Sequence, residues 1–333
     1  MKTLHLTGLI VLASAVAYGQ PTNGAQYWSA GVPDCSKLNQ TAVAIKNPNH
    51  VTIGYSCYVT GTFVWLAAGA GWTSKIRVGG PSSGAVGVDF SFYDNSGNPQ
   101  TLDFTGSVDD SSNDVNFALF DNQPSEIELL GVGSDGPSYP NLATGTVYGT
   151  FYCPDQDTCL NLQPQLIYSA LPSIPWSLSV PITWDSAVSN TWSAVGIDNG
   201  GSKIVSFVVY NEDTIAHAFT IYVYDRDGFL FSTGHTPVLL PLGDQLEGGT
   251  YADLLKNVVS LPSGPFKVIF DGGTAQVLSA VSVLQFDGPS GTSLQVAYDT
   301  SPTALASATA KKARLRQIRV ASKSQSVFKS IRK

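Results

Sequence analysis

The sequence is poor in charge. Asp, Glu, Lys and Arg make up 13% of its 333 residues, and Met occurs once. Helices are built largely from Ala, Leu, Glu and Lys, so this composition argues against a helical protein. After the first stretch, no apolar run reaches the roughly 20 residues that a membrane-spanning helix needs. There are four Cys and four His. The Cys spacings are not those of zinc sites, no H-E-x-x-H is present, and His50, His217 and His235 lie far apart. Gly80-Pro-Ser-Ser-Gly84 matches G-x-S-x-G in letters only. A nucleophile elbow needs a strand before it and a helix after it, whereas a strand follows here, so a turn is expected.

Gly (32) and Pro (19) are frequent, and Val, Thr, Ser, Tyr and Phe are abundant. This mixture suits short strands joined by turns. Two stretches stand out, AVGVDFSFYDNSGN at 85–98 and AHAFTIYVYDRDGF at 216–229. Each alternates apolar and polar residues, which gives a strand one buried face and one wet face, and each ends in Tyr-Asp-x-x-Gly. The Asp bonds the backbone ahead of it and the Gly takes positive φ, so both predict hairpin turns. Aligned on Tyr93 and Tyr224, they lie 131 residues apart. A tryptophan pair precedes each: Trp65 and Trp72, then Trp184 and Trp192. The tryptophan offsets are 119 and 120, so this alignment requires about eleven extra residues in the second copy, mostly NGGSKIVSFVV. GTVYGTFYC at 145–153 likewise resembles LSAVSVLQFD at 278–287.

The expectation is an all-β fold of two tandem immunoglobulin-like or jelly-roll-like β-sandwich modules. Module A covers 59–170 and module B 171–300, after a lead-in at 20–58 in which 43–45 and 51–58 are candidate edge strands. The proline-bearing joint 171–176 separates the modules, and GTYADLLKNV at 249–258 predicts one short helix. Residues 1–19 read as a secretory signal: a Lys, a mostly apolar run and a small-x-small site. No Cys at that site provides for a lipid anchor. In an exported chain, Cys35, Cys57, Cys153 and Cys159 predict two local disulfides, Cys35–Cys57 and Cys153–Cys159.

The formal net charge of −7 hides a division. All 25 acidic residues precede position 300, and nine of the 18 basic ones follow position 310. The acidic body argues against nucleic acid as its partner. The basic tail, 301–333, is either a disordered solubilising segment or an amphipathic helix with Leu315 and Ile318 on one side. It can serve an anionic surface or polymer, or the acidic body itself.

No cofactor is required. Calcium is the one metal weighed, at Asp109, Asp110 and Asp114 and at Asp225 and Asp227, although the full EF-hand pattern is absent and solvated turns explain these residues as well. The same holds for Asp155 and Asp157. The four module tryptophans are expected in the core. Trp28 and Trp176, outside the repeated pattern, are the freer candidates for stacking on a sugar ring.

FVWLAAGAGWTSKIRVGGPSSGAVGVDFSFYDNSGNP and LPLGDQLEGGTYADLLKNVVSLPSGPFKVIF, with VSVLQFDGPSGTSLQV, resemble a β-sandwich module of exported proteins of soil bacteria, especially acidobacteria. The resemblance covers about 59–298 and implies export and a β-sandwich. It carries no established activity and no catalytic residues. The insertion CPDQDTC departs from the module's pattern. A non-enzymatic role in adhesion, polysaccharide or cell-surface binding, or envelope structure is expected. The alternative is a carbohydrate-active hydrolase with a carboxylate pair between the modules.

Overall fold

The computed structural model describes residues 27–300, except 39, 47–48, 107–109, 121, 133–140, 171–176, 185–188, 201–202, 244–246, 276, 288–290 and 298. The signal segment, Asp109, the joint with Trp176, and the basic tail lie outside the described residues.

The first part of the chain forms β1 (Val43–Lys46), β2 (Thr52–Ala68), β3 (Trp72–Val78), β4 (Ala85–Asp94), β5 (Leu102–Gly106) and β6 (Asp110–Ser112). It continues through β7 (Asp114–Phe120), β8 (Ser125–Gly131), β9 (Ala143–Cys153), helix α1 (Gln156–Asn161), β10 (Gln165–Ala170), β11 (Ser177–Pro181) and β12 (Thr183–Trp184). The second part forms β13 (Thr191–Ile197), β14 (Lys203–Asn211), β15 (Thr220–Tyr224), β16 (Leu230–His235), β17 (Thr250–Leu254) and the single turn α2 (Leu255–Val258). It ends with β18 (Phe266–Asp271), β19 (Val277–Asp287), β20 (Gly291–Ala297) and β21 (Asp299–Thr300).

Two sheets make the first sandwich: β1-β2-β9-β4-β7, with β12 also on β2, and β11-β10-β3-β8-β5-β6. Within them, β2-β9-β4-β7 over β3-β8-β5-β6 is the strand order of a jelly roll. The second sandwich has β16-β15-β18-β13-β21 and β17-β14-β19-β20. The order β9-β4-β7 recurs as β19-β14-β17, and β3-β8-β5-β6 recurs as β13-β18-β15-β16. The protein is thus an all-β sandwich fold in which one strand order is used twice.

This order corrects the sequence alignment by one strand. Tyr93 lies at the end of β4, one residue before its last, whereas Tyr224 closes β15, the counterpart of β5. The counterpart of β4 is β14, which ends in Tyr210-Asn211, and the residues that looked inserted are largely β14 itself. The Tyr-Asp-x-x-Gly signature misleads because it is a local device. At both turns the Asp Oδ1 accepts from the backbone N–H groups two and four residues on, at 2.8 and 2.9 Å for Asp94 and 2.9 Å twice for Asp225. Gly97 and Gly228 take the positive φ each turn requires. The signature marks a tight turn but not what it joins. After Tyr224 it closes the β15–β16 hairpin. After Tyr93, beyond a single Tyr93–Pro99 bridge, it leads from β4 in one sheet to β5 in the other, so the hairpin expected there does not form.

Three other expectations change. β11 and β12, assigned to the start of module B, pair with β10 and β2 of the first sandwich. The lead-in belongs to that sandwich too: β1 is an edge strand as expected, but β2 is a 17-residue interior strand. The helix expected over 249–258 is half strand, because Thr250 and Tyr251 pair with Tyr210 and Val209 and leave only Leu255–Val258 helical.

The cores follow from alternation. β7, β8 and β18 bury every second residue. Phe90 sits amid the first core, edge-on to Phe151 at 5.6 Å and near Phe117 at 6.0 Å. In the second, Phe207 stacks on Phe270 at 5.4 Å. Each such ring contributes about 1.5–3 kcal/mol through burial. The disulfides are Cys35–Cys57 and Cys153–Cys159, as the local pairing predicts. CPDQDTC runs from the end of β9 into α1, with Asp155 Oδ1 accepting from Thr158 N at 2.8 Å as the helix N-cap.

Candidate functional site

The repeated strand order allows the same surface to be compared in two settings. In the first sandwich, the outer face of β3-β8-β5 is charged. Lys75 stands opposite Glu128, and Arg77 opposite Glu126. Arg77 Nη2 lies 2.6 Å from Glu126, and Lys75 Nζ lies 3.2 Å from Glu128. The hydrogen bond from Arg77 holds the Glu126 carboxyl below its usual range, and the bond to Glu128 pushes the Lys75 ammonium up. Asp103 extends the face on β5. Exposed pairs of this kind contribute at most about 1 kcal/mol each, so their main effect is to keep the face wet.

The corresponding sheet of the second sandwich, β13-β18-β15-β16, is aromatic and nearly neutral over its outer face at β18, β15 and β16, the counterparts of β8, β5 and β6. Ile221 and Val223 point into the core, so Thr220, Tyr222 and Tyr224 point outward. Tyr222 lies between Thr233 on β16 and Ile269 on β18. Tyr224 lies between Leu230 and Lys267, and Thr220 between His235 and Asp271. A register shift between Val223 and Tyr224 leaves Phe231 unpaired at the edge strand, 48% exposed. Thr220 Oγ1 meets His235 Nδ1 at 3.3 Å. Asp271 Oδ1 already accepts from Gly273 N at 2.7 Å. The face offers half-buried rings, aliphatic surface and hydroxyls. That is enough to stack a ring and bond its rim.

The two sandwiches meet across β2 and β14. Val64 of β2 packs in the second core, and Trp65 touches both cores. Thr62 Oγ1 donates to Glu212 at 3.4 Å, and Tyr210 Oη donates to Glu247 at 2.6 Å. The turn after β4 is docked by backbone bonds, from Glu247 N to Gly97 O at 3.0 Å and from Thr250 N to Asn95 O at 2.9 Å. Glu212 and Glu247 are both shut off from solvent.

The residues singled out by sequence are scattered. Trp192 is buried in the second core, and Trp65, Trp72 and Trp184 pack partly buried against the cores. Trp28 is half-buried. It sits edge-on to Tyr27 at 4.7 Å and covers Gly54, where any Cβ would lie 1.9 Å from its ring. Tyr27 itself lies over the outer face of the first sandwich, near Tyr152. Burial pushes the Tyr152 phenol far up, and the Asp89 carboxylate, Tyr27 and Tyr58 add to this. Asp225 caps its own turn, and Asp227 lies 3.8 Å from Arg226. Asp114 accepts from Ser112 at 3.1 Å, and the Asp110 side chain lies outside the described residues. Asp157 pairs with Lys37 at 2.7 Å. Among the described residues, no three His, Cys, Asp or Glu side chains gather as metal ligands.

Sequence reasoning missed the Tyr222–Phe231 face, because it emerges only when β15, β16 and β18 are placed side by side. The alternation in TIYVY was the one available signal. Among the described residues, no helix is long and apolar enough to cross a membrane. The disulfides fit a compartment outside the reducing cytoplasm. No protein-family model, curated protein or solved structure matches this chain.

Proposed function

We propose that the protein is an exported, non-enzymatic binder of polysaccharide at or outside the cell surface, and that the outer face of β16-β15-β18 takes the ligand. One observation carries the reading. Where β5 and β8 of the first sandwich turn Asp103, Glu126 and Glu128 outward, their counterparts β15 and β18 carry Tyr222, Tyr224 and Ile269, with Phe231 beside them on the edge strand β16. The fold does not require that change, and a contiguous apolar patch, here half-buried Tyr222 and Tyr224 beside exposed Leu230 and Phe231, marks an interaction site. A pyranose ring has an apolar C–H face and a rim of hydroxyls. Tyr222 and Phe231 suit the face, and Thr220 and Thr233 suit the rim. The signal-like segment, the disulfides and the resemblance to exported modules support export.

The hydrolase alternative would draw on Glu212 and Glu247, the carboxylates between the sandwiches. Their exclusion from water favours a structural role, since glycoside hydrolysis needs a water at the carboxyl pair.

The test is a pull-down of the full chain on insoluble polysaccharides and peptidoglycan at low and high salt, with and without residues 311–333. Retention that survives salt and tail removal is expected. Retention that disappears with the tail or with salt transfers the function to the tail. No retention on any polymer overturns the proposal.

A further inference from the structure

The surface between the sandwiches is polar and sealed. On the first sandwich, Thr62 and Thr146 lie on the outer face of β2 and β9: their neighbours Phe63 and Val147 point into the core, and Thr62 stands opposite Tyr148, two residues from Thr146. On the second, Tyr210 and Thr250 are cross-strand partners and share the outer face of β14 and β17, because Val209 and Tyr251 point inward. The two faces meet where Thr62 bonds Glu212. Thr250 lies beside the docked turn, whose Asn95 Nδ2 donates to Thr144 Oγ1 at 2.9 Å, next along β9 from Thr146.

Two carboxylates enter this layer. Glu212 is 0% and Glu247 1% exposed. They stand close in the backbone: a Cβ on Gly248 would lie 1.7 Å from Asn211 O, so the residues next to Glu247 and Glu212 touch. Tyr210, two residues before Glu212 and on its face, holds Glu247 at 2.6 Å. The second observation is independent of the acids. Thr146 is 1% and Thr250 6% exposed, and among the described residues neither side-chain hydroxyl has a hydrogen-bond partner. Buried hydroxyls are normally satisfied, so one left over on each wall points to an occupant.

We propose that the two sandwiches hold between them one divalent, oxygen-liganded cation, calcium by preference, with Glu212 and Glu247 as its carboxylate ligands and Thr146 and Thr250 facing it. Every side chain named there offers oxygen, the ligand atom of hard cations. Calcium's loose, high coordination suits ligands drawn from two separate sheets better than the strict octahedron of magnesium does. The site ties the sandwiches together and is distinct from the Asp225–Asp227 and Asp109–Asp114 loops.

The full chain, desalted into buffer with trace calcium, is analysed for metal. It is then chelated and melted with EDTA or with calcium chloride. Stoichiometric calcium is expected, with a Tm at least about 5 °C higher in millimolar calcium than in EDTA. Terbium emission excited through tyrosine, and displaced by calcium, is expected to accompany it. Glu247→Gln and the pair Glu212→Gln/Glu247→Gln abolish both responses, whereas Asp225→Asn/Asp227→Asn leaves them intact. Should the carboxylate variants fail to fold, Thr146→Val/Thr250→Val keeps both acids and is expected to weaken calcium binding several-fold without lowering the metal-free Tm. No bound metal and no calcium-dependent shift would show ordered water between the sandwiches and overturn the proposal. A calcium response unchanged in Thr146→Val/Thr250→Val, or lost in Asp225→Asn/Asp227→Asn, would overturn it equally.

Discussion

Gly97 and Gly228 are the same residue of the same turn in two environments, and replacing each by Ala separates the turn from the interface. Both have positive φ, +79° and +85°. An Ala Cβ in that conformation costs about 1–2 kcal/mol at either site. At Gly228 nothing lies within 4 Å of the added atom, so that is the whole cost. At Gly97 the Cβ would lie 1.9 Å from Glu247 O and 2.8 Å from its carbon. Reaching an ordinary contact means a displacement of about 1.5 Å, which breaks the bonds from Glu247 N to Gly97 O and from Thr250 N to Asn95 O. Each bond contributes about 1 kcal/mol, so Gly97→Ala is expected to cost about 2–3 kcal/mol more than Gly228→Ala. Urea unfolding followed by tryptophan fluorescence measures both, with Trp65, which touches both cores, as the main reporter. Gly97→Ala should also broaden the transition as the sandwiches lose their coupling. Equal losses in the two variants, within about 0.5 kcal/mol, would refute the docking of this turn.

Alkaline pH should unfold the protein through its buried phenols. Burial raises Tyr152 and Tyr168 above their unfolded value of 10.0, so their stabilisation is complete below that pH and is lost as pH rises through it. Urea midpoints from pH 9 to 12 should fall, with each phenol contributing about 1.4 kcal/mol per pH unit once the unfolded chain ionises, and Tyr152→Phe should remove its share. Cys35–Cys57 closes 22 residues and Cys153–Cys159 closes six. The chain-entropy model gives about 3.4 and about 2.2 kcal/mol respectively, so the Cys35→Ser/Cys57→Ser variant should be the less stable of the two in thermal melts. Cys57 stands directly opposite Cys153 in the β2–β9 ladder, at a spacing disulfides tolerate. Cys35→Ser/Cys159→Ser should therefore form that cross-strand bond, and a thiol assay should find no free cysteine.

Features set by neighbours in the chain were readable from sequence. The Asp94 and Asp225 turns and the Cys153–Cys159 bridge each involve residues a few positions apart and appear as expected, as does the Cys35–Cys57 bridge between cysteines neighbouring in the chain order. Features set by which strand lies beside which were not. The slip from β14 to β15 arose because Tyr-Asp-x-x-Gly describes a turn and carries no information about sheet position. The last residues of the first sandwich, 177–184, were misassigned because the prolines at 171–176 look like a boundary, yet the chain crosses them and returns to β10 and β2. Glu212 and Glu247 lie 35 residues apart and come together only through Tyr210 and the contact of Gly248 with Asn211. Trp28 drew attention as an unpaired aromatic, but Tyr27 and Gly54 had already taken it up. Tyr222 and Phe231 looked like ordinary hairpin residues until the charged face at Lys75 and Glu126 provided the contrast.

The central claim is that the neutral aromatic face of the second sandwich, and not the charged face of the first, binds polysaccharide. Affinity electrophoresis through gels containing soluble polysaccharides tests it most directly. The full chain would be run beside Tyr222→Ala/Phe231→Ala and, as control, Lys75→Ala/Glu126→Ala. Retardation that is lost in the first variant and kept in the second is predicted. Retardation unchanged in Tyr222→Ala/Phe231→Ala, or lost only in Lys75→Ala/Glu126→Ala, would contradict the account.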